Sequence, residues 1–433
     1  MPRGLFPALA LLGLLAPPGA AQEPPRTEAP AGQTAMEARA DQVVALLNGT
    51  ASPEDVFTDG FRAAIADAQI KALAANLTVQ FGRAVDVSLL TPREGTRAAL
   101  EIRFERGVAK GGIAISPSED NRINELRFTS VDALAVAGDT PQKIAADLAA
   151  LPGTVNAWFG PLDGGVPLIS LNSEKPLALG SAFKLYVLAA LAQDVKAGRR
   201  KWSDVVPLRE KSYPSGQMQN WPKGSPVTLH TLANLMISIS DNTATDELIM
   251  VLSRKRILKL MHDAGHANPA ANNPFLTTRE LFILKANPAL MAQWRSGDDA
   301  VRAAVIGALA AQTDPPLDDI NAAFANGPRA LDVEWFASPA DLAKLFSHMR
   351  RTADPKAFEI MAINSSATDA IKANWAYIGY KGGSEPGVIN LTWLLTDKTG
   401  RDWVLTAGWN NPAAVVDEGK FLALAQRILL LPR

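Results

Sequence analysis

The stretch Gly180-Ser181-Ala182-Phe183-Lys184 opens an apolar run, Leu185 to Ala192, and places a serine three residues before a lysine. The apolar run predicts a buried helix, and residues at positions i and i+3 of a helix share one face. A hydroxyl and an amine held together on that face can act as nucleophile and base. The alternative interpretation is a helix-capping serine beside a solvated lysine.

Two further motifs follow this stretch. Ser240-Asp241-Asn242 lies between two apolar helical segments, which predicts a tight turn that adds a hydroxyl and an amide, although the same triplet is also a good capping turn. Lys381-Gly382-Gly383-Ser384 follows a strand-like segment. Its glycines let a ligand lie against the strand edge, and its lysine supplies positive charge.

Lysine followed by glycine or threonine and then by glycine occurs three times, so the position in the chain has to decide between the copies. Lys110-Gly111-Gly112 precedes Ser181, which is the wrong order. Lys398-Thr399-Gly400 lies between two apolar strands and is typical of a hairpin turn. Lys381, at the start of the strand pair, is therefore the candidate.

These motifs, in this order, resemble the active-site signature of class A β-lactamases and penicillin-binding proteins. The resemblance covers residues 140 to 433. It implies a mixed α/β (α+β) fold, a β-lactamase/transpeptidase-like domain with an antiparallel sheet and helices. It also implies a serine hydrolase that forms an acyl-serine intermediate on a β-lactam, ester or amide substrate without a cofactor.

The resemblance also implies a role for each motif residue. Ser181 is the acylated nucleophile, and Lys184 takes its proton. Ser240 relays a proton to the leaving group, and Lys381 keeps the local potential positive. The implied substrate-binding residues are Asn242, Gly382, Gly383 and Ser384. The backbone N–H groups of Ser181 and Ser384 form the implied oxyanion hole.

Two departures from the family pattern bear on the substrate. Gly382 stands where the family usually has threonine, which removes a hydroxyl near the substrate carboxylate, although Ser384 could also hydrogen-bond that carboxylate. Class A enzymes deacylate with a glutamate between the second and third motifs, and Glu280 is the candidate for this deacylation base here. Thr277-Thr278-Arg279-Glu280 equally predicts a capped helix start.

Composition excludes several other functions. The net charge is −1, which gives no sign of a nucleic-acid or anionic-membrane partner. Cysteine is absent, so disulfides and thiolate metal sites are excluded. His262 and His266 have ligand-like spacing, but Gly265 and the lack of an HExxH pattern favour a surface pair. We expect a small-molecule substrate, no metal and no cofactor.

The first part of the chain predicts export. Residues 1–21 have a basic Arg3, an apolar core and the small residues Gly19-Ala20-Ala21, which together are typical of a cleaved signal peptide. Residues 22–35 predict a linker. We expect a periplasmic or secreted protein with no stable membrane span after cleavage.

Residues 36–136 predict a small α+β domain, because two helical segments are followed by four strand-like segments. Their order resembles NTF2-like (cystatin-type) domains, and the hydrolase domain is expected over residues 139–433. This pairing resembles a branch that includes lipoprotein-like serine hydrolases and an accessory protein of clavulanate biosynthesis. Two alternatives stay open: a D-alanyl-D-alanine carboxypeptidase-like enzyme, and a non-hydrolytic binding protein with the β-lactamase fold.

Overall fold

The computed structural model describes residues 34–134, 138–312, 322, 324 and 327–433. The described chain divides into two compact units, one within residues 34–139 together with 368–370, the other within residues 140–367 and 371–433. The predicted signal peptide and the predicted linker as far as residue 33 lie outside the described residues.

The first unit consists of helices followed by an antiparallel meander. Its helices are α1 (Ala35–Leu47), α2 (Pro53–Val56), α3 (Asp59–Ala64) and α4 (Asp67–Phe81). Its strands are β1 (Ala84–Pro92), β2 (Arg97–Phe104), β3 (Gly107–Ser116) and β4 (Arg122–Ala133), paired in that order. Alternate residues of β2 (Ala98, Leu100, Ile102 and Phe104) are buried, as the period of two along a strand requires.

The second unit is a mixed α/β layer structure. Its helices are α5 (Pro141–Ala149), α6 (Lys184–Lys196), α7 (Leu229–Ser238), α8 (Asn242–Leu252), α9 (Arg254–Asp263), α10 (Thr278–Ala286), α11 (Pro288–Ser296), α12 (Asp299–Ala310), α13 (Pro339–Thr352), α14 (Lys356–Ala362), α15 (Asp369–Asn374) and α16 (Glu418–Leu429). Its strands are β5 (Thr154–Pro161), β6 (Ile169–Leu171), β7 (Leu177–Ala178), β8 (Val205–Pro207), β9 (Pro226–Thr228), β10 (Phe336–Ala337), β11 (Tyr377–Glu385), β12 (Val388–Thr396) and β13 (Asp402–Asn410).

A five-stranded antiparallel sheet, in the order β11-β12-β13-β5-β6, separates two apolar cores. One core contains the buried faces of α5 and α16 and the tryptophans Trp375, Trp393, Trp403 and Trp409. The other contains α6, which is buried on nearly all sides, and the helices around it. The predicted α/β (α+β) class with an antiparallel sheet is confirmed.

The chain that leads into Ser181 is fixed from both sides. The Asn410 side chain accepts from the Ala178 backbone N–H at 2.9 Å and donates to its carbonyl at 3.3 Å. One residue later, the Leu179 N–H donates to the Trp335 carbonyl at 3.0 Å. The Trp335 ring stacks on Phe183 at 3.6 Å between ring centroids. These contacts hold the turn that carries Ser181 against the edge of the sheet.

A buried ion cluster joins α10 to the end of β11. Lys285 Nζ donates to Glu334 Oε1 at 2.8 Å and also to Glu385 Oε1, and the Lys285 side chain is fully buried. Glu385 follows Ser384 on β11, and Glu334 precedes Trp335. Burial and the neighbouring Glu334 raise the pKa of Glu385, while Lys285 opposes the shift. The cluster thus fixes segments on both sides of the Ser181 turn.

We predict that Lys285→Met destabilises the second unit by about 3–5 kcal/mol, because it leaves two buried carboxyl groups without a cation. All nine tryptophans follow residue 140, so tryptophan fluorescence in a urea titration reports on this unit alone. Lys398→Met, at an exposed turn lysine, is the matched control and should change the free energy of unfolding by less than about 0.5 kcal/mol. Equal midpoints for the two variants would contradict the role given to the cluster.

Candidate active site

Ser181 lies on a 3₁₀ turn, Gly180–Phe183, that runs directly into α6. With three residues per turn, side chains at i and i+3 of such a turn eclipse each other. Ser181 is half-buried, and Lys184, the first residue of α6, is fully buried. The sequence placed this pair on one face of a helix, and the 3₁₀ turn aligns the two side chains more closely than an α-helix does.

Lys184 Nζ donates three hydrogen bonds to the Ser240-Asp241-Asn242 turn. The acceptors are the Ser240 carbonyl at 2.7 Å, Ser240 Oγ at 3.0 Å and Asn242 Oδ1 at 2.7 Å. An ammonium has three donors, so all three are used. No hydrogen bond joins Lys184 Nζ to Ser181 Oγ, and such contacts are often long before substrate binds.

Lys381 reaches the same turn from the opposite side. It lies on β11, and its Nζ donates to Ser240 Oγ at 3.0 Å and to the Gly382 carbonyl. Ser240 adopts a left-handed backbone conformation with φ 58°, which is uncommon outside glycine. The structure thus brings Lys184, Ser240, Asn242 and Lys381 together, whereas Lys398 is exposed on the turn between β12 and β13.

The pKa values of both lysines are lower than usual. Burial, and then the positive charge of Lys381, hold the pKa of Lys184 well below its usual range, against the opposing effect of Asp246 and Asp241. Burial lowers the pKa of Lys381 to about 7. A buried amine that loses its proton near neutral pH can accept a proton from a hydroxyl.

Two aspartates that the sequence analysis gave no role hold the second motif in place. Asp241 caps α8 through the Ala244 N–H and accepts from the backbone N–H groups of Gln217 and Met218. Asp246, one helical turn after Asn242, accepts from the Ser212 hydroxyl and the Thr278 backbone N–H. Burial raises the pKa of Asp246 to about 6, and these hydrogen bonds oppose the shift. The spacing of Asp246 from Asn242 on one helix face was the available sequence signal.

Gly383 and Gly180 allow β11 to approach the Ser181 turn closely. A Cβ on Gly383 would overlap the backbone nitrogens of Ser181 and Ala182. A Cβ on Gly180, which has φ 49°, would lie 3.0 Å from the backbone nitrogen of Ser384. The backbone nitrogens of Ser181 and Ser384 therefore lie near each other at this junction, where an oxyanion hole is expected.

Gly382 faces the opposite side of β11 and is constrained for another reason. A Cβ on Gly382 would overlap the hydroxyl of Tyr380, which lies on the same strand face two residues earlier. The space that a threonine side chain would need is therefore filled by the Tyr380 side chain.

Glu280 has both carboxylate oxygens engaged. Oε2 accepts from the Thr277 backbone N–H at 2.8 Å in a capping box at the start of α10. Oε1 accepts from Arg254 Nη2 at 2.6 Å. These contacts favour the capping interpretation over the deacylation role.

The histidine prediction was half wrong. His262 is exposed, but His266 is buried, with Nε2 2.9 Å from the Phe336 carbonyl and Nδ1 accepting from the Asn268 N–H. Its ring packs near Tyr186, which makes it a core residue. Within the described ranges, no group of three or more His, Cys, Asp or Glu is placed to hold a metal ion.

A half-buried serine next to a buried lysine, with a second serine shared by two lysines, defines a serine-nucleophile site of the hydrolase type. A model of the Beta-lactamase enzyme family matches residues 140–427. The chain belongs to that family. Membership of the family supports the assignment of the chain as a β-lactamase-like serine hydrolase with small-molecule substrates.

Solved structures of similar proteins include PBP-A, which is 19% identical with a TM-score of 0.47 over 67% of this chain and 94% of that one. A β-lactamase from Sphaerobacter thermophilus is 20% identical, with a TM-score of 0.47 over 68% and 98%. A β-lactamase from Chitinophaga pinensis is 16% identical, with a TM-score of 0.45 over 67% and 95%. A search of curated proteins gave no match. Across the described segments, no helix is long and apolar enough to cross a membrane.

We predict that Gly383→Ala slows covalent labelling of Ser181 by about 10²-fold, because the new methyl group pushes the nucleophile's backbone out of position. The measurement is the rate of labelling by a fluorophosphonate probe. Gly307→Ala, in an open position on α12, is the matched control and should label at the wild-type rate. Normal labelling of Gly383→Ala would show that the close approach is unimportant.

Proposed function

We propose that the protein is an exported serine hydrolase that acts through an acyl-Ser181 intermediate on a β-lactam, ester or amide. The observation that carries the proposal is the Ser240 hydroxyl, which accepts a hydrogen bond from each of the two buried lysines, Lys184 and Lys381. A hydroxyl has two acceptor positions and one donor. With both acceptor positions filled, the Ser240 O–H is left to point at a substrate.

Acylation follows from this arrangement. Ser181 Oγ attacks the substrate carbonyl carbon as its proton passes to neutral Lys184, and the backbone N–H groups of Ser181 and Ser384 stabilise the oxyanion. The bond from that carbon to the leaving group then breaks. The leaving group takes the Ser240 proton, and Lys184 returns a proton to Ser240 Oγ along their 3.0 Å hydrogen bond. Asn242 holds Lys184 in place and orients the substrate.

Deacylation repeats these steps with water as the nucleophile. Water attacks the acyl carbon as its proton passes to Lys184, the bond to Ser181 Oγ breaks, and Lys184 returns the proton to Ser181. We assign Lys184 to both half-reactions because the two oxygens of Glu280 are held by the capping box and by Arg254. Lys381 raises the local positive potential in both half-reactions.

The test is covalent labelling. Wild-type protein should take up one fluorophosphonate or fluorescent penicillin per chain, and Ser181→Ala should take up none. Lys184→Met should label about 10²–10⁴-fold more slowly, because it lacks the general base. Labelling that survives in Ser181→Ala would refute the assignment.

Turnover assays separate this proposal from the two alternatives. Hydrolysis of nitrocefin or short-chain esters supports the lead proposal. Release of D-alanine from a muropeptide would identify a carboxypeptidase-like enzyme. Absence of both turnover and adduct would favour a binding protein that retains the β-lactamase fold.

The lysine pair predicts a characteristic pH dependence. Labelling should rise with pH as Lys184 loses its proton and level off well below pH 10.5, the usual lysine pKa. Lys381→Met removes a nearby positive charge, so the pKa of Lys184 rises and the labelling curve moves up by about one pH unit. Lys381→Arg keeps the charge and is the matched control, whose curve should not move up. Identical midpoints in all three proteins would contradict the coupling.

We also propose that residues 1–21 direct export to the periplasm or beyond and that the first unit is an NTF2-like domain. The composition of residues 1–21 supports the first proposal. Among the described residues of that unit, the order of four helices followed by a four-stranded meander supports the second proposal, and with it the proposed branch of lipoprotein-like and clavulanate-associated proteins.

A further inference from the structure

The buried ion cluster of Lys285, Glu334 and Glu385 takes no part in the acylation and deacylation steps. Lys285 Nζ donates to Glu334 Oε1 at 2.8 Å and to Glu385 Oε1, and none of the three side chains is more than 6% exposed. Charged groups are costly to bury, and a fully apolar replacement of such a cluster is often more stable. Stability alone therefore does not explain why these three side chains are present.

Glu385 connects the cluster to one side of the oxyanion hole. It ends β11 and follows Ser384, whose backbone N–H is assigned to that hole. Side chains alternate along a strand, so Glu385 lies on the same face as Gly383, which packs against the Ser181 turn. The contact of Glu385 with Lys285 on α10 therefore anchors the strand directly beside the Ser384 N–H.

Glu334 connects the same lysine to the turn that carries Ser181. Trp335 follows Glu334 in the chain, and the Trp335 N–H donates to Glu334 Oε2 at 3.2 Å. The Trp335 carbonyl accepts from the Leu179 N–H at 3.0 Å, and the Trp335 ring stacks on Phe183. Trp335 thus contacts the chain on both sides of Ser181.

The Lys285 amine therefore joins the two segments that supply the oxyanion hole. The two glycines at the junction let these segments approach closely, but a close approach sets only the shortest distance between them. Among the described residues, no backbone hydrogen bond joins the turn Gly180–Phe183 to β11. The cluster provides a link of side chains between the two segments in place of such a bond.

We propose that Glu385 is a positioning residue: its contact with Lys285 holds the Ser384 N–H where, together with the Ser181 N–H, it binds the oxyanion. The inference rests on the proposed function, because it concerns the same acyl-transfer site. Oxyanion donors are effective only when they are placed before the reaction, and loss of one donor costs about 10²–10³ in rate. Displacement of the Ser384 N–H should therefore slow acylation more than it weakens substrate binding.

The charge state of Glu385 makes a closely matched pair of substitutions available. Burial and Glu334 raise the pKa of Glu385 to about 8, while Lys285 opposes the shift, so its carboxyl group is mostly protonated at pH 7. Glutamine is neutral, has the same size and keeps an oxygen that can accept from Lys285. Glu385→Gln should preserve the contact, whereas Glu385→Leu has a similar size and removes the acceptor. Both variants leave Lys285 paired with Glu334.

The test compares a p-nitrophenyl ester of a short fatty acid with the matching thionoester, in which sulfur replaces the carbonyl oxygen. Sulfur accepts hydrogen bonds weakly, so the ratio of the two acylation rates reports on the oxyanion hole. Each rate is measured from the burst of p-nitrophenol release. In Glu385→Leu, the ratio of the ester rate to the thionoester rate should fall about tenfold or more. The ester concentration that gives half the maximal rate should change by less than about twofold, and Glu385→Gln should keep the wild-type ratio.

The matched control is Glu174→Leu, at an exposed position after β6, which should keep the wild-type ratio. Melting curves followed by tryptophan fluorescence check that each variant folds, and Glu385→Ala is the second variant that removes the acceptor. An unchanged ratio in Glu385→Leu or Glu385→Ala, or an equal fall in Glu385→Gln, would overturn the role of Glu385. Absence of a burst from the wild-type protein would instead overturn the proposed function on which that role rests.

Discussion

The burial of the Lys184 amine is the constraint on which the rest of the site depends. An ammonium removed from water is costly unless its donors are satisfied, and here three oxygens of one short turn satisfy all of them. Two of these oxygens belong to Ser240, which offers both its carbonyl and its hydroxyl from a left-handed backbone conformation. Asp241 holds the loop of Gln217 and Met218 against that turn. The geometry of the second motif therefore follows from the need to solvate one buried lysine.

The same oxygen couples Lys184 to Lys381. Both Nζ atoms lie 3.0 Å from Ser240 Oγ, so the two amines are close neighbours. When both are charged, they repel each other through a water-poor interior. The pair therefore loses its first proton more easily than a single buried lysine would, and the apparent pKa values belong to the pair. General base catalysis needs one amine of the pair to be neutral, so that it can accept a proton. The other amine stays charged and supplies positive potential for the oxyanion.

Those parts of the structure that depend on local pattern could be predicted from the sequence. The strands of both units follow from alternating and β-branched residues, and the position of Lys398 in a turn between two apolar strands separated it from Lys381. The contacts of Asp246 and Lys285 could not be predicted in this way, because each joins segments far apart in the chain. A single sequence shows which residues carry charge, but it does not show which of these side chains are in contact. The wrong prediction for His266 has the same cause, since its burial depends on the distant Phe336 carbonyl.

The two glycines of the third motif lie on opposite faces of β11 and are required for different reasons. On the inner face of β11, Gly383 is required because the Ser181 backbone occupies the space of any side chain. On the outer face, Gly382 is required because the Tyr380 hydroxyl occupies the corresponding space. The space that the usual threonine side chain would need is therefore taken by the Tyr380 side chain. A site losing its function would be expected to lose groups on the inner face first. Here Lys381 and Gly383 on that face keep the residues of the motif, and the departure, Gly382, lies on the opposite face of β11.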